Sequence, residues 1–289
     1  MKELRRVFIL AAALFSLAAT TSGQEKAKRM AVTFDEVPIA QSFVEVNGAN
    51  LTKRILDALR RVEAPAAGFV VGDKVSTNAD LIGEWLNAGH TLGSMTFTNQ
   101  DFNEVGVGEF MRQVKQGQEA LEPILKSFGQ KKRYFRFPFL HYGSTVEVKS
   151  KARKLIEADR MIICPVTVMP DDFLFNLRLE KLGSHADSAH VLALMNEYVN
   201  HVLDELSRQE ALALKVAGKP IVQILQLRAN RLNALFAWEL LNAIKNEGYK
   251  FVTLDVALAD PAYTITERYT GNRGVGFLDM VAQSKKAKK

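Results

Sequence analysis

Cysteine is almost absent. Cys164 is the single one in 289 residues, which excludes an internal disulfide and any cysteine-rich zinc knuckle. Beyond Ala19 there is no run of 18 apolar residues, so no membrane-spanning helix is expected in the body. No short-period repeat occurs, and the C-terminal end is the one low-complexity stretch. A 47% hydrophobic and 24% charged composition excludes a disordered or collagenous chain. The length suits one barrel-sized core or two smaller ones.

Net charge is +6, but it sits at the ends. Lys2, Arg5 and Arg6 outweigh Glu3 at the start, and Lys285, Lys286, Lys288 and Lys289 crowd the finish. The body between them is balanced and has no basic stripe interleaved with aromatics, so a nucleic-acid partner is not expected. Residues 281–289 read as a solvated basic tail.

The start has the three-part order of a secretory signal. Basic residues 2–6 precede a 13-residue run, Val7 to Ala19, that is apolar except for Ser16. Thr20-Thr21-Ser22-Gly23 then supplies small residues before a polar stretch. Residues 1–23 are therefore expected to be removed, giving a secreted or periplasmic protein with no stable membrane span. A retained N-terminal anchor is the competing reading.

From residue 24 to 280 apolar strands alternate with amphipathic helices. Strands are expected at 29–34, 68–71, 91–98, 133–137, 161–168, 221–227 and 251–254. Helices are expected at 50–63 (capped by Asn50), 79–88, 109–128, 145–158, 190–216 and 233–246. Such β-then-α units build a parallel sheet covered by helices. No linker divides them, so a single α/β domain closed as a (β/α) barrel is the economical reading, with an open doubly wound sheet second. Either way chemistry belongs at the C-terminal strand ends.

Those ends hold Asp35-Glu36, Met95 to Asn99, Arg136 to His141, Asp171-Asp172 and Arg228-Ala229-Asn230. Adjacent carboxylates can act as general base and metal ligand, and Arg136 can hold a carboxylate bidentately. An acidic pair at a strand end is also an ordinary helix cap or solvated turn.

The order of these segments resembles the polysaccharide deacetylases, the NodB-homology domains of carbohydrate esterase family 4, over about residues 28–263. Thr33-Phe34-Asp35-Glu36 is similar to the first family motif, Thr-Phe-Asp-Asp. Gly89 to Asn99 resembles the segment that holds the second, His-(Ser/Thr)-x-x-His. Tyr134-Phe135-Arg136-Phe137-Pro138-Phe139 resembles the third, Arg-x-Pro-(Phe/Tyr), and Asp172-Phe173 the fourth, which ends in Asp-Trp. Ile224 to Asn230 resembles the fifth, Leu-x-His. The resemblance implies a distorted (β/α) barrel and a metal-dependent N-deacetylase ancestry.

Carried over position by position, it implies that Asp35 stands for the general base, Arg136 for its partner and Asp172 for the aspartate that tunes the acid. The metal ligands fall on Glu36, Met95 and Asn99, and the general-acid histidine on Arg228. Zinc takes imidazole, thiolate or carboxylate, not a thioether with an amide. Arginine holds its proton too tightly to act as an acid, although it can stabilise an oxyanion. No cofactor is therefore expected, where the family uses zinc or another divalent ion. Asp171, Asp172 and Glu36 leave a weak magnesium- or calcium-type site open.

An Asp172–Arg228 ion pair, an Asp35–Arg136 pair, and Met95 filling the vacant metal space follow from this matching. His90 and His201 read as structural, while His185 and His190 lack the spacing of a helical ligand pair. Phe139, His141 and Phe173 are candidate substrate contacts, and Phe97, Phe137 and Tyr142 could extend an aromatic sugar platform. The expected role is an exported pseudoenzyme that binds an N-acetylated polysaccharide, oligosaccharide or protein partner. An active deacetylase with a rearranged site and a metal-free glycosidase are the alternatives.

Overall fold

The computed structural model describes residues 27–183 and 187–286. The expected leader, His185 and the last three lysine-rich positions lie outside the described residues. Seven parallel strands, β1 (Arg29–Val37), β2 (Ala66–Val70), β3 (Thr91–Ser94), β4 (Arg133–Phe135), β5 (Met161–Ile163), β6 (Gln223–Arg228) and β7 (Lys250–Phe251), form one sheet. The order is β5-β4-β3-β2-β1-β6, with β7 beside the start of β1. The sheet curls until Val168, just past β5, bridges to Leu225 on β6. The result is a distorted (β/α) barrel, not an open doubly wound sheet.

The distortion has a sequence cause. The strand expected over 161–168 is broken after Ile163, where Pro165 has no N–H for the ladder. Its first piece pairs with β4 and its last with β6. Side chains alternate across β1 as strand geometry demands. Met30, Val32 and Phe34 face the covering helices, and Ala31 joins Ala67, Phe69, Tyr134 and Ile224 in the barrel interior.

The outer face of β1, β2 and β6 is sealed by α1 (Gly48–Arg61) and α7 (Arg231–Asn246), through Ile55, Leu59, Leu240 and Leu241. Asn47, not Asn50, caps α1, its side chain accepting from the Asn50 N–H at 2.9 Å. Around the rest lie α2 (Ala79–Asn87), α3 (Val107–Ser127), α4 (Val146–Ala158), α5 (Asp172–Leu182), α6 (Ser188–Ala217), α8 (Leu254–Leu258) and α9 (Phe277–Lys286).

Two of these helices correct the sequence reading. Residues 281–286 belong to α9, not to a solvated tail. Val281 is buried, and the Lys285 ammonium donates to the Val216 carbonyl at the end of α6 at 2.8 Å. The stretch after Asp172 is a helix whose apolar residues fall on several sides, so it shows no clear helical stripe. Among the described residues no helix is long and apolar enough to cross a membrane.

Candidate functional site

The strand register sets the site. Asp35 lies opposite Arg228 on adjacent β1 and β6. Asp35 is buried, and its Oδ1 lies 3.3 Å from Nη1 of Arg136, which follows β4. Arg136 is fully buried with its guanidinium 4.3 Å from the Phe69 ring centroid, and its Nη2 donates to Thr33 Oγ1 at 3.2 Å. Among the described residues Nη1 has no hydrogen-bond partner, so charge rather than alignment holds this pair. The other Asp35 oxygen accepts from Gln226 Nε2.

Asp172, the first residue of α5, is fully buried and richly satisfied. It accepts from the Arg228 N–H at 2.7 Å, from Asn233 Nδ2 at 2.7 Å and from the Arg228 guanidinium. Asn233 is itself fixed by the Tyr198 hydroxyl, which donates to its Oδ1 at 2.8 Å. Nε of the same guanidinium lies 3.5 Å from Glu36 Oε1, and the group stands 5.2 Å from the Phe173 ring centroid. Burial opposes the Arg228 charge, but Asp172, Asp35 and Glu36 outweigh it and raise its pKa. Burial raises the Glu36 pKa, with Arg228 and Lys74 pulling the other way.

Glu36, which faces Arg228, has a left-handed backbone, φ 61°. Asn99, Phe139, Leu140 and Asp171 share that conformation, φ 49–56°, and all but Leu140 line the same cleft. Non-glycine residues rarely adopt it, so strain is concentrated at the strand ends.

The segment from Met95 to Asn99 is pinned by α3. Phe97 N–H donates to the Gln113 carbonyl at 3.0 Å, and a Cβ on Gly117 would sit 2.6 Å from the Met95 carbonyl oxygen. Only glycine permits that approach. Met95 points into the barrel interior, 2% exposed, among Ala67, Phe69, Val71, Tyr134 and Cys164. Asn99 keeps a buried Oδ1 with no hydrogen-bond partner among the described residues.

These residues do not fit a zinc ion. The three positions offer a carboxylate already facing a guanidinium, a thioether packed in apolar surroundings and one amide oxygen. Nor do Asp171, Asp172 and Glu36 gather: among the described residues no group of three His, Cys, Asp or Glu could hold a metal. Asp172 is consumed by N–H donors, and Asp171 lies 3.5 Å from His201.

A cleft of about 940 Å³ opens above this network. Glu36, Asn99, Phe139, His141, Phe173 and Arg228 line it, and residues 272–276 form another part of the wall. That wall is anchored by the buried Lys149, which donates to Glu267 at 2.7 Å and to the Tyr269 carbonyl at 3.0 Å. Phe139 and Phe173 are roughly half exposed. Phe137 and Tyr142 are not: both are buried with Phe102 and Phe110, so they do not belong to a sugar platform. Phe97 is half-buried and does not line the cleft.

Two features escaped the sequence. Phe43, 78% exposed, lines the cleft on a loop held by the buried Glu180, which accepts from Ser42 Oγ at 2.7 Å and Phe43 N–H at 3.3 Å. His141 Nδ1 is 2.8 Å from Asp101 Oδ2, a pairing across 40 residues with no local signal. His90 accepts from the Ala66 N–H through Nδ1 at 3.3 Å and packs on Trp85. Burial lowers its pKa to about 4. His190 is exposed beside Asp187.

A curled parallel barrel with carboxylates, guanidiniums and an open cleft at its C-terminal mouth defines a (β/α)-barrel protein with the site where such folds place theirs. Comparison with known proteins narrows this. Residues 22–155 match the family model described as polysaccharide deacetylase. A peptidoglycan-N-acetylglucosamine deacetylase, PgdA, of Listeria monocytogenes is 30% identical over 94 residues, 32% of this chain and 18% of that protein. A peptidoglycan-N-acetylglucosamine deacetylase of Bacillus cereus is 25% identical over 130 residues, 45% of this chain and 42% of that protein. The chain thus matches less than half the length of these curated relatives.

Among solved structures, the polysaccharide deacetylase Bc1974 of Bacillus cereus superposes with a TM-score of 0.56 at 20% identity, covering 78% of this chain and 92% of that one. BA3943 of Bacillus anthracis, described as a CE4 family pseudoenzyme, gives 0.54 at 17% identity, over 80% of this chain and 66% of that one. At such identities these likenesses establish the fold. Residues 22–155 are thus similar to the polysaccharide deacetylase family, and the chain shares the fold of its solved members.

Proposed function

We propose that this chain is an exported member of the polysaccharide deacetylase family that binds N-acetylated glycan without hydrolysing it. One observation carries the reading. At the positions where the family carries histidine ligands, Met95 is sealed into the apolar barrel interior and Asn99 offers an amide, beside a cleft that stays open. Such a donor set would not hold the ion that brings a bound water's pKa to ~7, and Arg228 holds its protons too tightly to give one to a leaving amine. Asp35, Arg136 and Asp172 then serve as a charge-balanced floor, and Glu36 with Arg228 as part of the same network. Phe43, Phe139, His141 and Phe173 supply apolar faces and a polar contact suited to a sugar ring.

The relatives named above act, by their names, on peptidoglycan N-acetylglucosamine, which supports an N-acetylated glycan as ligand. The basic-apolar-small order of residues 1–23 supports export. The His141–Asp101 pair favours, as a second reading, an active deacetylase with a rearranged site. Co-sedimentation with chitin and with its de-N-acetylated form tests binding. Retention on chitin is expected, and equal absence from both pellets would contradict the reading.

A further inference from the structure

Arg228 does more than replace an acid. Its guanidinium touches two carboxylates at once: Nη1 donates to Asp172, and Nε faces Glu36 Oε1 at 3.5 Å. Glu36 is the one residue of the three vestigial ligand positions that still carries a carboxylate. A fixed positive charge therefore faces the one carboxylate that a metal at these positions would need. Arg228 cannot deprotonate to make way, its side chain is only 20% exposed, and its backbone N–H is tied to Asp172 as well.

We propose that Arg228 is a resident cation that excludes a divalent ion from this cleft, so that histidines restored at positions 95 and 99 would not rebuild the metal site while Arg228 remains. The inference rests on the non-hydrolytic reading above. Its physical content is like-charge repulsion in a poorly solvated pocket, added to the loss of Glu36 as a free ligand. Loss of metal ligands and gain of Arg228 then form one coupled change and not three independent ones.

The test measures zinc affinity alone, by competition with a chromophoric chelator, on the folded chain. Met95→His/Asn99→His is compared with the same pair plus Arg228→Gln, glutamine being chosen because it adds no imidazole. Removing Arg228 is expected to tighten zinc binding by about tenfold or more. Equal affinity in the two backgrounds would overturn the proposal, and so would the absence of zinc binding in both. If Arg228→Gln alone prevents folding, Asp172→Asn/Arg228→Gln removes both charges together and serves as the second background. Glycan binding is read separately, so its loss would sink the functional reading and leave this comparison standing.

Discussion

Arg228 grips Asp172 twice, once through its backbone N–H and once through its guanidinium. The carboxylate has no solvent exposure, and Asn233 supplies a further donor. Removing one partner of such a pair leaves a buried charge uncompensated. Arg228→Ala is expected to cost about 3 kcal/mol, the low end of the range for a broken buried pair because the backbone and Asn233 donors remain. Urea denaturation of the variant checks this, and a loss under ~1 kcal/mol would mean the pair is no stronger than a surface one.

Met95 is the second structural test. It fills apolar space in the barrel interior among Phe69, Tyr134 and Cys164. Met95→Ala is expected to lose about 2–5 kcal/mol through transfer and cavity terms. A neutral effect would show that the interior is not packed around this side chain.

Acid should weaken the fold through His90. Burial holds its pKa at about 4 in the folded chain, against an ordinary value of 6.5. Between those values the unfolded chain binds more protons, so stability rises with pH across that window and falls as pH drops through it. Each unit of pH there changes stability by about 1.4 kcal/mol. His90→Gln should flatten this part of the profile between pH 4.5 and 7. An unchanged slope would place the titration elsewhere.

Phe43 offers the most exposed aromatic face on the cleft, held out by a loop anchored on Glu180. Phe43→Ala should weaken retention on chitin oligomers about tenfold, or ~1.4 kcal/mol, consistent with covering one ring face. Stability should not change, since the ring buries little. Unaltered binding would remove Phe43 from the glycan surface.

Much of the barrel was legible because its strands are short apolar runs ending in polar residues, and because Asp35, Arg136, Asp172 and Arg228 each stand at such an end. The Asp172–Arg228 contact followed from motif order. The Glu36–Arg228 contact did not, and the left-handed backbone at Glu36 is likewise something a strand-like sequence does not announce. Phe43 was missed for a similar reason: its loop is ordered by Glu180, 137 residues away. Helix α5 was missed because its apolar residues lack a single face, and α9 because lysines near its end masked Phe277, Leu278 and Val281. The proline break after β5 was visible in the sequence, yet the flanking apolar residues outweighed it.

On the proposed reading, this barrel keeps an open cleft without hydrolytic chemistry. The most direct measurement is acetate release from chitin oligomers by the purified chain, with and without added zinc. The account predicts release no faster than the protein-free rate in either condition. Zinc-dependent acetate release by the unaltered chain would contradict it.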